Sequence, residues 1–274
     1  MNIGIEISYM GKNFVGSQIQ PGHRTVHGEL QRVLSRVLRE EIKVNFSGRT
    51  DSGVHAVCGF CNFHVENLFC EPEKIAFIVN RKLPPDICIV KSFEVPEDFH
   101  ARYSAKLKTY HYVFYNGDYD AISCFTKSHT HFPLDFEKMQ KACEDIVGEQ
   151  DFFPFMATGS NKKMTVRNVT ACKLTRTPCK YTGDDEGGIR TENTCDLGRS
   201  RGFEYTLEIT ANGFLYNMVR IIAGTLHDIG RYHLPETAFA DALKSKQRKH
   251  LGKTLGPEGL FLWNVEYGNL KTTE

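Results

Sequence analysis

The stretch IKVNFSGRTDSGVHAVCGFCNFHV, residues 42–65, decides the fold. Its first part, IKVNFS, reads as a strand entering a tight loop, and VCGFCNFHV reads as the strand leaving it. No helical stripe separates the two runs, so consecutive strands meet through a loop. Upstream, NIGIEISYM sets Ile3, Ile5, Ile7 and Tyr9 at alternate positions, the period of a half-buried strand. Between them Val26, Leu30, Val33, Leu34, Val37 and Leu38 form a helical stripe. Downstream, PEKIAFIVNRKL reads as a helix with Pro72 in its first turn, and DICIVKSF as a strand. The order is β-α-β-β-α-β, the ferredoxin-like arrangement.

The second half follows the same order. KTYHYVFY is a strand, and DFEKMQKACEDIVG is a helix capped by Asp135 and closed by Gly148. TVRNVTACKL and FEYTLEITA are strands, a helix runs from about Gly213 to Ile229, and a shorter helix follows Pro235. LFLWNVEY is the closing strand. The pattern predicts an α+β chain of two tandem ferredoxin-like halves, residues 1–105 and 106–274, the first carrying the GRTD loop. One segment, residues 176–201, is nearly devoid of aliphatic side chains and reads as a long excursion between two paired strands.

Composition narrows the class. Hydrophobic residues make up 41% and charged residues 24%, the balance of a soluble globular protein. No apolar run reaches the length of a membrane span, and the first residues lack the basic start of a signal peptide. With nine cysteines and no secretory signal, the expectation is a cytoplasmic chain with reduced thiols. A formal net charge of +1 neither demands nor excludes a nucleic-acid partner, so any basic surface must be local.

Several motifs invite chemistry. Cys58 and Cys61 have redox spacing, but on a strand they point to opposite faces. No second C-x-x-C completes a zinc site, and His129 and His131 have no acidic or thiol company in sequence. No phosphate-binding glycine loop is present, which argues against a nucleotide cofactor. Basic residues gather at Arg102, Lys106 and Lys108 and again in KSKQRKHLGK, residues 244–253. The first group lies among Tyr103, Tyr110, Tyr112, Phe114 and Tyr115, which could form a base-stacking platform or simply a packed aromatic sheet face. Asp51 also has two readings: a turn residue that satisfies backbone donors, or a carboxylate held in place for chemistry.

Five motifs in order, TVHGELQRVL, GRTDSGVHA, FHARYSAKLKTYHY, NGFLYNMVR and GPEGLFLWNVEY, resemble those of tRNA pseudouridine synthase A along nearly the whole chain. The resemblance implies a pseudouridine synthase fold, with the two halves joined in one antiparallel sheet around a central cleft. It implies a homodimer that binds the anticodon arm of tRNA and isomerises uridine to pseudouridine there, without metal or cofactor. It makes Asp51 the catalytic carboxylate, Tyr110 the residue that stacks on the extruded uracil, and Arg220 the cation that keeps Asp51 ionised. Arg49 becomes a phosphate clamp, Arg167 matches a basic position of the family, and Leu260 or Phe261 lines the base pocket.

Departures from the family pattern stand at Ser17, where tryptophan is usual, at His27, where glutamine is usual, and at Ser52, where alanine is common. The first two bear on the fit of the RNA-contacting region. Two rival readings remain: a related synthase with other RNA targets, and a non-catalytic tandem RNA-binding module. The second lacks an RNP1-like strand, since CGFCNFHV has no leading base and no later aromatics in register.

Overall fold

Alternating isoleucines at the amino terminus do form a strand, β1 (Asn2–Tyr9), with Ile3, Ile5 and Ile7 fully buried. The structure is a computed structural model and describes residues 1–117, 119, 121–159, 164–179 and 202–268. By their contacts these residues form two units: Met1–Tyr110 with the chain from Phe261 onward, and His111–Leu260. The chain is α+β, and most of its strand pairs are antiparallel.

In the first unit β1 is followed by α1 (Val26–Leu38), β2 (Val44–Phe46), β3 (His55–His64), α2 (Ile75–Asn80) and β4 (Ile87–Val95). Thr25 caps α1 by accepting from the Gly28 amide at 3.2 Å, and the apolar stripe from Val26 to Leu38 is buried. Strand β1 is central and pairs antiparallel with β3 and with β4, while β2 lies on β3. Proline 72 opens a short 3-10 turn that leads into α2. The late strand β10 (Leu260–Glu266) adds parallel to β3, pairing Phe261 with His55 and Leu262 with Ala56.

Gly11, just after β1, passes so close to the next loop that a Cβ there would collide with the carbonyl oxygen of Val54. Both partners are backbone, so neither can rotate away. Gly11→Ala is expected to destabilise the protein by about 1–3 kcal/mol, the usual cost of overpacking. An unchanged melting temperature would show that the two loops can part without loss.

The second unit begins inside strand β5 (Leu107–Tyr115), at His111. It contains β6 (Ser128–His129), α3 (Phe136–Ala142), β7 (Gly148–Asp151), β8 (Val166–Pro178), β9 (Phe203–Ala211), α4 (Met218–Gly230) and α5 (Ala238–Ser245). Its strands run in the order β5-β9-β8-β7, with β6 beside β5. Asp135 caps α3 as its sequence indicates, accepting from the Lys138 amide at 3.1 Å. Helix α4 is buried on nearly every side, in keeping with a mostly apolar sequence interrupted by Arg220, Thr225, His227 and Asp228.

Three boundaries differ from the sequence reading. Helix α3 ends at Ala142 and passes into a 3-10 turn, Cys143–Ile146, and Gly148 opens β7 and does not close the helix. Helix α4 starts at Met218 rather than near Gly213, because Asn217 takes a left-handed conformation, φ 59°, that a helix cannot continue through. Strand β8 runs on through Arg176 and Thr177 to Pro178, into the segment read as an excursion. Cross-strand pairing explains this: Arg176 sits opposite Tyr205, and its guanidinium lies over the rings of Phe136 and Phe203 at 4.9 and 5.0 Å. The hairpin narrows as far as Cys179, whose amide donates to Gly202 at 3.2 Å. Residues 180–201, the rest of the excursion, lie outside the described residues. Among the described residues no helix is long and apolar enough to cross a membrane.

Candidate active site

The GRTD loop joins β2 to β3, and its backbone is hydrogen-bonded at Ser47, Thr50, Asp51, Gly53 and Val54. The Ser47 amide donates to Phe60 at 2.8 Å, and the Ser47 carbonyl accepts from the Lys108 ammonium at 2.5 Å. Gly48 is required here, since a Cβ would stand 2.7 Å from the Lys108 nitrogen. The Thr50 hydroxyl shares a 2.7 Å hydrogen bond with the Tyr9 phenol. The Thr50 amide donates to the Ser17 hydroxyl at 2.8 Å, and the Thr50 carbonyl accepts from the Ser17 amide at 3.1 Å.

Asp51 then starts a tight turn: its carbonyl accepts from the Val54 amide at 3.2 Å, and Gly53 supplies the positive φ of 80° that the turn needs. The turn therefore uses the main chain of Asp51. Its carboxylate is half-buried.

Tyr110 reaches this loop from β5. It is 9% exposed, and its phenol is pushed well above the ordinary tyrosine range, first by burial and then by the negative charge of Asp51. Both effects keep the phenol protonated at neutral pH. Arg49 is exposed and makes no hydrogen bond or ion pair among the described residues, as suits a side chain held out for an external anion. Phe261, at the start of β10, stacks on His55 with ring centroids 4.8 Å apart, four positions beyond Asp51. Asp51, Tyr110, Arg49 and Phe261 thus all belong to the first unit.

Arg220 and Arg167 belong to the second unit. On α4, Arg220 is half-buried, with Nε donating to Leu255 at 2.7 Å and Nη1 to the Asn217 side chain at 2.8 Å. It lies off the buried stripe of its helix, as its position in the sequence indicates. Arg167 packs beside Gly213, where a Cβ would stand 3.6 Å from its Nε.

Other candidates take ordinary roles. Tyr112, Phe114 and Tyr115 are buried, so the aromatic row on β5 is mostly packed sheet face. Tyr103 is 76% exposed, with Arg102 5.8 Å from its ring and the His100 ring 4.4 Å away at a tilt of 39°. Lys108, read as part of a basic patch, is spent at least partly on the loop carbonyl of Ser47. The run at 244–253 is also partly structural: Arg248 donates to Leu251 and Gly252, and Lys246 pairs with Asp151 at 2.7 Å. Cys61 is fully buried and its thiol is pushed up by burial, while Cys58 is half-buried, so the pair forms no exposed dithiol. Among the described residues no cluster of three His, Cys, Asp or Glu could hold a metal ion.

The departures at positions 17 and 27 also turn inward. Ser17 is 2% exposed, and half-buried His27 stacks on Phe46 with centroids 4.6 Å apart. Serine 17 therefore bears on the loop and not on an RNA-facing surface. No local pattern signals this, because its partner Thr50 is 33 residues away.

A family described as tRNA pseudouridine synthase matches residues 6–104 and 142–268. The chain belongs to the tRNA pseudouridine synthase family. Members of this family are isomerases that act on tRNA. Relatives named tRNA pseudouridine synthase A include one from Caldicellulosiruptor saccharolyticus, 40% identical over 97% of this chain and 99% of its own. A second, from a Thermoanaerobacter species, is 36% identical over 97% of this chain and 99% of its own. A third, from Halalkalibacterium halodurans, is 37% identical over 99% of this chain and 96% of its own. The family match spans the GRTD loop, Arg220 and β10, and leaves out residues 105–141, among them Tyr110.

Proposed function

We propose that this synthase isomerises uridine in the anticodon arm of tRNA, with Asp51 as the catalytic carboxylate and Tyr110 against the reacting base. The observation that supports the reading is a half-buried carboxylate on a loop held at Thr50 by Ser17 and Tyr9, with the buried Tyr110 phenol raised in part by the Asp51 charge. The reaction breaks the bond from N1 of uracil to C1′ of the ribose, turns the base, and joins C5 to C1′. The proton leaves C5 and one is gained at N1, so nothing is consumed. An ionised Asp51 can attack C1′ or the base, or take a proton from the sugar, and each route needs the anion. Arg49 is suited to hold a phosphate while the uridine leaves its stack, a step that costs a few kcal/mol. Phe261 is suited to line the base pocket. We further read residues 1–105 and 106–274 as two related ferredoxin-like halves of one synthase sheet, and the active protein as a homodimer. The strand order β4-β1-β3-β2 of the first unit supports that reading for the first half.

Purified protein incubated with unmodified tRNA transcripts tests the function directly. Pseudouridine mapped to the anticodon stem-loop is the expected result. Pseudouridine confined to another arm or another RNA favours the related-synthase reading, and none in any RNA favours a binding module.

Arg220 is our candidate for the cation that keeps Asp51 ionised. Removing a cation raises a carboxyl pKa, so more alkaline solution is needed to form the anion. Arg220→Ala is therefore expected to be poorly active, with the acidic limb of its pH–rate profile moved to higher pH. A normal rate with an unmoved profile would assign Arg220 to holding Leu255 and Asn217 instead.

A further inference from the structure

We propose that Ser17 and Tyr9 form a clamp on Thr50 that aims the Asp51 carboxylate, which makes Ser17 a positioning residue of the active site. The inference rests on the reading of Asp51 as the catalytic carboxylate. Its geometry is specific. The carbonyl of Thr50 belongs to the peptide plane that joins Thr50 to Asp51, and a peptide plane turns as one body. Holding that oxygen and the Thr50 amide together fixes the plane from which the Asp51 side chain departs.

Ser17 holds both ends. Its hydroxyl accepts from the Thr50 amide at 2.8 Å, and its own amide donates to the Thr50 carbonyl at 3.1 Å. Tyr9 secures the Thr50 side chain through the 2.7 Å bond between hydroxyls. The clamp is anchored in turn: the Ser17 carbonyl accepts from the His27 amide at 3.0 Å, in the first turn of α1. Gly16, at φ 82°, lets its chain approach the loop, where a Cβ would stand 3.0 Å from the Thr50 oxygen.

Ser17, Thr50 and Tyr9 are all buried, so water does not compete for these bonds. A tryptophan at position 17 has no oxygen acceptor for the Thr50 amide. The serine hydroxyl is therefore this chain's own device for the task. Without it a buried amide is left unpaired and the loop is free to shift.

The experiment compares wild type with Ser17→Ala, Ser17→Thr, Tyr9→Phe and Asp51→Asn, measuring single-turnover rate, tRNA affinity and melting temperature. A displacement near 1 Å at a reacting group costs roughly a hundredfold in rate. Ser17→Ala is expected to slow the reaction by about ten- to a hundredfold with tRNA affinity unchanged. Ser17→Thr keeps the hydroxyl and is expected to recover most of the rate. Tyr9→Phe keeps the packing and is expected to be slowed severalfold, again with affinity unchanged. A folded Ser17→Ala with normal rate overturns the proposal, as does a folded Ser17→Thr as slow as the alanine variant. If Ser17→Ala does not fold, Tyr9→Phe decides: a normal rate there overturns the clamp. Asp51→Asn separates the two levels, because full activity in that variant would remove the reading beneath the clamp, whatever Ser17 does.

Discussion

Asp51→Asn is expected to fold, to bind tRNA as tightly as the wild type, and to lose isomerisation. The amide is isosteric with the carboxylate, and the bend at residues 51–54 is closed by the Asp51 carbonyl, which the substitution keeps. The Thr50 bonds to Ser17 and Tyr9 are equally untouched. What is lost is the anion, and a carboxamide is neither nucleophile nor base at neutral pH. Removing an essential catalytic group lowers turnover by on the order of 10⁴-fold or more. The Tyr110 phenol supplies a second readout. Its pKa is raised by burial first and by the Asp51 charge second, so with the charge gone it should titrate lower than in the wild type, though still above free tyrosine. Appreciable turnover by pure Asp51→Asn would sink the assignment, and an unmoved Tyr110 titration would deny the contact.

Tyr110 should separate an enzyme from a binding platform. Base–aromatic stacking is worth about 1–3 kcal/mol, and a bare ring stacks as well as a phenol. Tyr110→Phe should thus keep most tRNA affinity while the reaction slows severely, because the hydroxyl beside Asp51 is gone. Tyr110→Ala should lose affinity as well as rate. Truncating so buried a ring also costs about 3–5 kcal/mol of stability, so both measurements belong well below the melting temperature. A platform protein would accept phenylalanine freely. Full single-turnover activity in Tyr110→Phe would refute a chemical role for the hydroxyl.

Much of the architecture was legible because it is written in local periodicity. Ile3, Ile5 and Ile7 mark β1, and the stripe from Val26 to Leu38 marks α1, since burial on one face leaves a regular imprint. Asp135 marked a helix start because a cap reaches only a few residues along the chain. The start of α4 was not legible, because the left-handed turn at Asn217 depends on its surroundings and not on apolar spacing. The site divided in the same way. Motifs identified Asp51, Tyr110 and Arg49 one at a time, but what holds the loop comes from residues far apart in sequence. Ser17 looked like a flaw in an RNA-facing segment, and Lys108 like an RNA cation, until their partners Thr50 and Ser47 were seen. An aromatic row on β5 has the same pattern whether it faces RNA or the core, and burial alone chose the core for Tyr112 and Phe114.

The parallel addition of β10 to β3 has a consequence for how the enzyme is made. The strand that sets Phe261 beside His55 leaves the ribosome after every other described strand. Until it emerges, β3 has its Phe261 side uncovered next to the catalytic loop, while the whole second unit is being synthesised. Pairing elements so distant in sequence closes a very long loop, which slows the step. On the reading of Asp51 as the catalytic carboxylate, the nascent chain therefore carries an unfinished pocket until β10 emerges.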